Sequence, residues 1–407
     1  MKARKSRLLY RSIKLRTNKF RLQAENEQIK KQVRTGSRLT AGRYVFLIYI
    51  RTYPIYMLIE RTISEETGPA VYIKAVGAVS PQQDFETMMK APANYTGDKL
   101  RCIEPDYTKY VDAKLIRRMS RIIKMGVAAA SEALQQAGIK NPGAIITGTA
   151  YGCLADTDQF LTRMVEFKET LLSPTAFIQS THNTVAAQIA LMLQCHNYNN
   201  TYVHRGSSFE AALTDAVSLL EEGEAQNVLI GAADEITDKS HAILKRFGLY
   251  KTDAESLSLT DSNTKGTMAG DGAAFFVLDK NKDGALVRLT AFKNYYNPET
   301  PATSLTEAFL KENNISVADI DLVITGNNGN SAENKHYSEL VHNLFAENKV
   351  ITYKQYCGEY PTSIGFALWM ATHILKEKKF QGASITNILI YNNYLQRYPA
   401  LLLLSAC

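Results

Sequence analysis

The side chains able to do covalent chemistry in this sequence are few and scattered. Its five cysteines are Cys102, Cys153, Cys195, Cys357 and Cys407, accompanied by seven histidines. A nucleophile is most useful on a sharp strand-to-helix turn, where free N–H groups and the helix dipole lend positive potential. One stretch reads as such a turn, Arg205-Gly206-Ser207, and it contains no cysteine. Ser207 is a hydroxyl in the right place. With Glu210 three residues later, however, it fits a capping box, in which its oxygen is committed to a backbone N–H. Cys357, in Tyr356-Cys-Gly-Glu359, is the other candidate for a displaced nucleophile, set against the plainer reading of a buried, inert thiol. Cys195 and His196 are adjacent, so their side chains point different ways and form no dyad. His182 and His204 fall on loops, and Asn327-Asn328-Gly329-Asn330 is turn chemistry. No cysteine or histidine spacing matches a metal site, so neither a metal nor a cofactor is expected.

The turn belongs to a βαβ unit. Thr201–Val203 reads as a short strand, and Phe209, Ala212, Leu213, Ala216, Val217 and Leu220 recur at helical spacing up to the stop at Gly223. The apolar run Asn227–Ala233 follows as a second strand, parallel to the first by the right-handed crossover rule. Upstream, the pattern predicts a strand over Val71–Val79 and a helix over Asp112–Gly138. A strand over Gly143–Ala150 and a helix over Thr184–Leu193 come next. The rhythm then repeats: a helix over Ala302–Asn313, a strand over Ile320–Thr325, helices over Glu333–Phe345 and Ser363–Lys376, and strands over Asn387–Tyr391 and Ala400–Leu404. Two α/β halves of like rhythm predict two sheets with a helical layer buried between them.

Charge divides the chain differently. Residues 1–68 hold 16 Lys/Arg against 5 Asp/Glu, whereas the remainder holds 31 against 35. The overall net charge of +7 thus belongs to the N-terminal segment and gives no reason to expect nucleic-acid binding by the rest. That segment reads as a basic extension, either disordered or a start placed too far upstream. An adaptor arm for a membrane surface or RNA is the functional alternative. The apolar stretch Tyr44–Ile50 is cut by Arg51 and Pro54 well short of the ~20 residues a membrane span needs, so membrane insertion is not expected. Odd, unpaired cysteines fit a reducing cytoplasm.

From about Val71 onward the chain resembles the β-ketoacyl synthases. The matching stretches are Gly77-Ala-Val-Ser-Pro81, Arg117-Arg-Met-Ser120 with Ala128-Ala-Ala-Ser-Glu-Ala-Leu134, and Ser173-Pro-Thr with Ala186-Ala-Gln-Ile-Ala190. Gly270-Asp-Gly272 stands where the family has Gly-Glu-Gly, and Lys354 with Gly358 keeps the frame of the lysine and second-histidine motif. The resemblance implies an α/β thiolase fold, a layered α-β-α-β-α core with an N-terminal half over 69–284 and a C-terminal half over 285–407. It also implies a catalytic cysteine and two histidines, and here they are missing. Gly206 stands at the cysteine position, Gly326 at the first histidine and Glu359 at the second, while Lys354 is retained. Decarboxylative condensation needs a thiolate to carry the acyl group and imidazoles to stabilise the enolate, and neither glycine nor a carboxylate supplies them.

These departures resemble the chain-length factors, catalytically empty subunits that pair with an active ketosynthase. Tyr202–Glu210, Cys357–Thr362 and Ile390–Asn393 resemble those of aryl-polyene and flexirubin-type systems in particular. The resemblance implies a heterodimer with an active ketosynthase and traffic with an acyl carrier protein. Asn199, Asn200, Thr201, Tyr202 and Val203 should then lie at the interface, with Phe177 and Phe209 shaping the acyl tunnel. The alternative is an active acyltransferase using Cys357 or Ser207. Glu359 is expected to pair with Lys354, with Arg205, or with both.

Overall fold

Continuous apolar runs decide the architecture. In a computed structural model that describes residues 70–407 apart from 94–97, 171, 173, 253–258 and 260–263, ten strands form one sheet. The basic extension over 1–68, and with it the adaptor reading, lies outside the described residues. In chain order the strands are β1 (Val71–Val79), β2 (Ala144–Gly148), β3 (Tyr198–Tyr202), β4 (Asn227–Asp234) and β5 (Gly272–Asp279). Then come β6 (Val287–Asn294), β7 (Leu322–Thr325), β8 (Lys349–Thr352), β9 (Asn387–Tyr394) and β10 (Tyr398–Ala406). Eight longer helices accompany them: α1 (Arg121–Ala137), α2 (Leu154–Glu166), α3 (Thr184–Leu193), α4 (Ser208–Glu222), α5 (Asp238–Arg246), α6 (Ala302–Glu312), α7 (Ser331–Leu344) and α8 (Ile364–Glu377).

The sheet order is β8-β7-β9-β10-β6-β1-β5-β4-β2-β3. From either edge inward the pairings run parallel, parallel, antiparallel, antiparallel. The second five strands therefore repeat the topology of the first. The expectation of two separate sheets needs a correction. The halves are joined by a short antiparallel pairing of Val71–Ile73 with Val287–Leu289, which makes the sheet continuous.

Successive residues of the inner strands belong to different cores. Ile145, Leu229, Phe275 and Val277 pack outward with α1 and α3, while Ile146, Ile230, Phe276 and Leu278 pack inward with α4 and α8. In the second half Val323, Leu389, Leu401 and Leu403 face α6 and α7, whereas Ile324, Ile388, Leu402 and Leu404 face the same inner layer. Both sheet faces are covered, so the inner strands read as unbroken apolar runs rather than alternating ones. The helices α4 and α8 form the middle layer. Along α8, only Ile364–Thr372, Ile374 and Leu375 are buried, and they are buried all round the helix.

One predicted helix is two. The run from Asp112 to Gly138 breaks after the short helix Ala113–Ile116, and α1 restarts at Arg121, whose guanidinium reaches the fully buried Asp271 at 2.5 Å. An ion pair anchored in the core fixes where the second helix begins. Because both faces of β5 are buried, Phe275→Ala and Phe276→Ala should each cost about 3–5 kcal/mol. Denaturant unfolding of the two variants checks this, since a strand with one wet face would show the cost at only one position.

Candidate functional site

The site lies where α4 and α8 begin. After β3 the chain makes a single 3-10 turn over Arg205–Ser207 and enters α4 at Ser208. Gly206, inside that turn, is buried. A β-carbon built on it would lie 2.6 Å from the Tyr394 ring and 2.9 Å from the Tyr398 ring. No real β-carbon approaches that closely, so the position where the resemblance places a cysteine is sealed by two tyrosines of the β9–β10 hairpin. Gly326, at the first histidine position, is closed in the same way, its β-carbon falling 2.1 Å from Asn392 Oδ1. That oxygen accepts a hydrogen bond of 2.9 Å from the Tyr353 hydroxyl, which holds the plug in place.

The expected capping box is absent. Ser207 makes no side-chain capping bond. Ser208 ties the turn instead, its hydroxyl accepting from His204 N at 2.8 Å and donating to the Arg205 carbonyl at 2.8 Å. Glu210 turns inward rather than back to the backbone. Arg205 takes a left-handed conformation with φ of 51° and is exposed, so it takes no part in pairing Glu359.

Glu359 pairs with Lys354. The lysine is fully buried and donates to Glu359 Oε1 and, at 2.5 Å, to Ser363 Oγ, with its ammonium 5.0 Å from the centre of the Tyr353 ring. The other carboxylate oxygen of Glu359 accepts from Asn328 Nδ2 at 2.8 Å. Asn328 also donates to Glu333 at 3.1 Å, and Asn330 donates to the second oxygen of Glu333 at 2.8 Å. The loop Asn327–Asn330, read from sequence as plain turn chemistry, thus supplies the amides that satisfy two buried carboxylates. A buried pair of this kind adds little net stability, but removing one partner strands a charge in low dielectric.

Charge is not balanced in this cluster. Glu210, Glu333 and Glu359 all lie within reach of the Lys354 ammonium, and neither side-chain oxygen of Glu210 has a hydrogen-bond partner among the described residues. Burial pushes the Glu210 carboxyl from an ordinary 4.5 up to about 8, with Lys354 pulling weakly the other way. Burial and the neighbouring Glu359 also raise Glu333. The pattern of residue types gave no warning of Glu210, because a capping role explained it locally.

The remaining nucleophile candidates are disposed as follows. Cys357 is fully buried, and burial pushes its thiol well above the ordinary range, so it offers no thiolate. Cys195 is buried with its thiol toward the Pro142 carbonyl at 3.6 Å, whereas His196 faces solvent. Among the described residues no group of three or more His, Cys, Asp or Glu side chains is arranged to hold a metal ion.

The strand carrying the expected interface residues runs over Tyr198–Tyr202 and borders the sheet, paired on one side by β2. Asn199 is exposed, Asn200, Thr201 and Tyr202 are half-buried, and Val203 just beyond is 40% exposed. Phe177 stands out at 55% exposure on the short helix Pro174–Gln179, its ring against Phe160. Leu161, Val165, Phe167, Ile178 and Leu191, on or beside the same helices, are also exposed. Phe209 is fully buried and edge-on to Phe276 at 5.9 Å.

A five-strand topology used twice around a middle helical layer, with the starts of α4 and α8 meeting at the site, defines a thiolase-type fold. Residues 68–284 match the family described as Beta-ketoacyl synthase, N-terminal domain. The chain belongs to the β-ketoacyl synthase family. No curated protein matches it by sequence. Among solved structures, the ishigamide ketosynthase/chain length factor aligns over 84% of this chain and 100% of its own, with a TM-score of 0.71 at 16% identity. A beta-ketoacyl synthase from Burkholderia phymatum aligns over 83% and 100%, with a TM-score of 0.72 at 16% identity. The ketosynthase ApeO in complex with its chain length factor ApeC, from Xenorhabdus doucetiae, aligns over 83% and 98%, with a TM-score of 0.64 at 15% identity. At such identities the likeness establishes the fold.

Two outcomes are expected. Glu359→Ala should destabilise the chain by about 3–5 kcal/mol, measured by denaturant unfolding, because Lys354 is left buried and unpaired. Glu210→Gln should act with the opposite sign and only at high pH. The folded state keeps the Glu210 proton between an ordinary 4.5 and about 8, where the unfolded chain has released it. The wild type is therefore fully stable with respect to this group below 4.5 and loses on the order of 3–5 kcal/mol as pH rises to 8. The glutamine variant should match it near pH 4.5 and exceed it near pH 8.

Proposed function

We propose that this chain is a non-catalytic ketosynthase-like subunit of chain-length-factor type, which pairs with an active ketosynthase and shapes the acyl tunnel of the pair. The observation that carries this reading is the sealing of all three positions at which the family keeps its catalytic groups. Gly206 is capped by Tyr394 and Tyr398, Gly326 by Asn392, and Glu359 is tied to the retained Lys354. A displaced thiol at Cys357 has no route to substrate from full burial.

Pairing is supported by the sheet border and its surroundings. The strand β3 has backbone groups free on one side among the described residues. Val203 just past the strand and Leu191 on α3, which packs against it, are exposed apolar residues. Leu161, Val165, Phe177 and Ile178, on the packed pair α2 and Pro174–Gln179, are exposed as well, a kind of surface that marks protein interfaces. The named relatives that are ketosynthase–chain-length-factor pairs support the same partner class, and an acyl carrier protein delivering to the partner completes the proposed assembly. The narrower likeness to aryl-polyene and flexirubin-type systems belongs to this proposal. No described helix is long and apolar enough to cross a membrane, and a cytoplasmic setting fits the proposed assembly.

The test is co-purification of the tagged chain from its own host. An active ketosynthase should come with it, and the purified single chain should show no condensation of malonyl and acyl groups above a heat-killed control. Val203→Arg and Ile178→Glu, both at exposed positions, should abolish the association and leave the unfolding transition in place. Condensation by the chain alone would overturn the reading, as would partner capture that ignores both substitutions.

A further inference from the structure

A cleft of about 140 Å³ lies beside the sealed site, against Tyr360, the residue following Glu359. Its walls are Tyr151, Leu154, Ile236, Leu244, Tyr250 and Tyr360, and Ile243, 56% exposed, stands at its mouth. The walls are held firmly. Tyr250 stacks on His241 at 5.0 Å with the rings nearly parallel, and Tyr360 is 5% exposed.

Two carboxylates, Asp234 and Glu235, also line the cleft. Asp234 is satisfied by Thr149 Oγ1 at 2.9 Å, Ala150 N at 2.9 Å, Tyr151 N at 3.4 Å and Thr362 Oγ1 at 2.8 Å. Glu235, 6% exposed, accepts from Ala155 N at 2.9 Å through one oxygen, and its other oxygen makes no hydrogen bond among the described residues. Burial raises Glu235 to about 7, so it is ionised in mildly alkaline solution.

Size and charge together select a ligand. A dry apolar cavity of about 150 Å³ accommodates a benzene molecule, and the tyrosine and leucine walls suit a ring. An anion entering the cleft near pH 8 would meet the ionised Glu235 in a poorly screened setting, where like charges repel far more than in water. We propose that this cleft is a binding site for a small uncharged ring, benzene-sized and bearing at most one hydroxyl, and that it rejects carboxylates of the same size. The hydroxyl would donate to the free oxygen of Glu235. This inference goes beyond the ketosynthase-partner reading and does not depend on it, since it concerns the single chain.

The experiment uses the full chain near pH 8, with phenol and benzoate as probes and saturation-transfer NMR and the shift in melting temperature as readouts. Phenol should bind with a dissociation constant of roughly millimolar order, and benzoate at least about tenfold more weakly. Ile243→Trp, at the exposed mouth, should weaken phenol binding by about tenfold or more while keeping the circular dichroism of the wild type. Glu235→Gln should bring benzoate to within about threefold of phenol. The site is refuted by absence of phenol binding, by benzoate binding as tightly as phenol to the wild type, or by phenol binding that Ile243→Trp leaves unchanged. The comparison of the two probes on the wild type requires no variant to fold.

Discussion

Everything at the centre of this protein depends on one buried ammonium. Lys354 is fully enclosed, and its charge has to be answered in place. Glu359 answers it, Ser363 Oγ takes a second proton of the ammonium, and the Tyr353 ring lies beneath it. Each of these groups fixes a different piece of chain. Glu359 forms a backbone bridge with Ala269, Ser363 directly precedes α8, and Tyr353 is bonded to the asparagine that closes Gly326. The ion pair contributes little net energy by itself, yet it sets where three segments must meet.

The sequence made some of this plain and hid the rest, for physical reasons. Apolar runs bounded by glycine and polar turns located β1, β4, β7 and β9 closely, because strands buried on both faces leave a dense signal. The strand β8, by contrast, is the half-buried run Lys349–Thr352 and carries no alternation worth reading. The pairing of Glu359 with Lys354 was legible from the resemblance, which implies a buried lysine needing a carboxylate where the following helix offers Leu368, and from the cost of burying Glu359 alone. Arg205 was not excludable in advance, since only the left-handed turn at that residue directs it to solvent. The inward turn of Glu210 was hidden by a local rule that fitted equally well. The tyrosine plugs were hidden because Tyr394 and Tyr398 lie nearly two hundred residues from Gly206 in sequence.

The repeated topology separates the fold from the residues at its loop ends. Each half builds its five strands and covers both their faces, and the two halves share the middle layer of α4 and α8. The family's catalytic positions lie at the ends of these elements, where loops meet, and contribute nothing to the layers themselves. Glycine at 206 and 326 is therefore compatible with intact cores, and Tyr394, Tyr398 and Asn392 pack close against those two positions.

That filling is the last step of the physical argument. A working active site keeps polar groups unpaired and space open, both of which cost stability. Here the space beside Gly206 and Gly326 is occupied to within contact distance, and Glu359 carries an ion pair. One strained element persists, because Glu210 keeps two unpaired oxygens in the same interior. Burial favours its neutral form, which eases the crowding of three carboxyl groups around Lys354. An interior relaxed for stability alone would carry an apolar residue there. An acid at the start of α4 therefore makes this interior depend on protonation, as an apolar residue there would not.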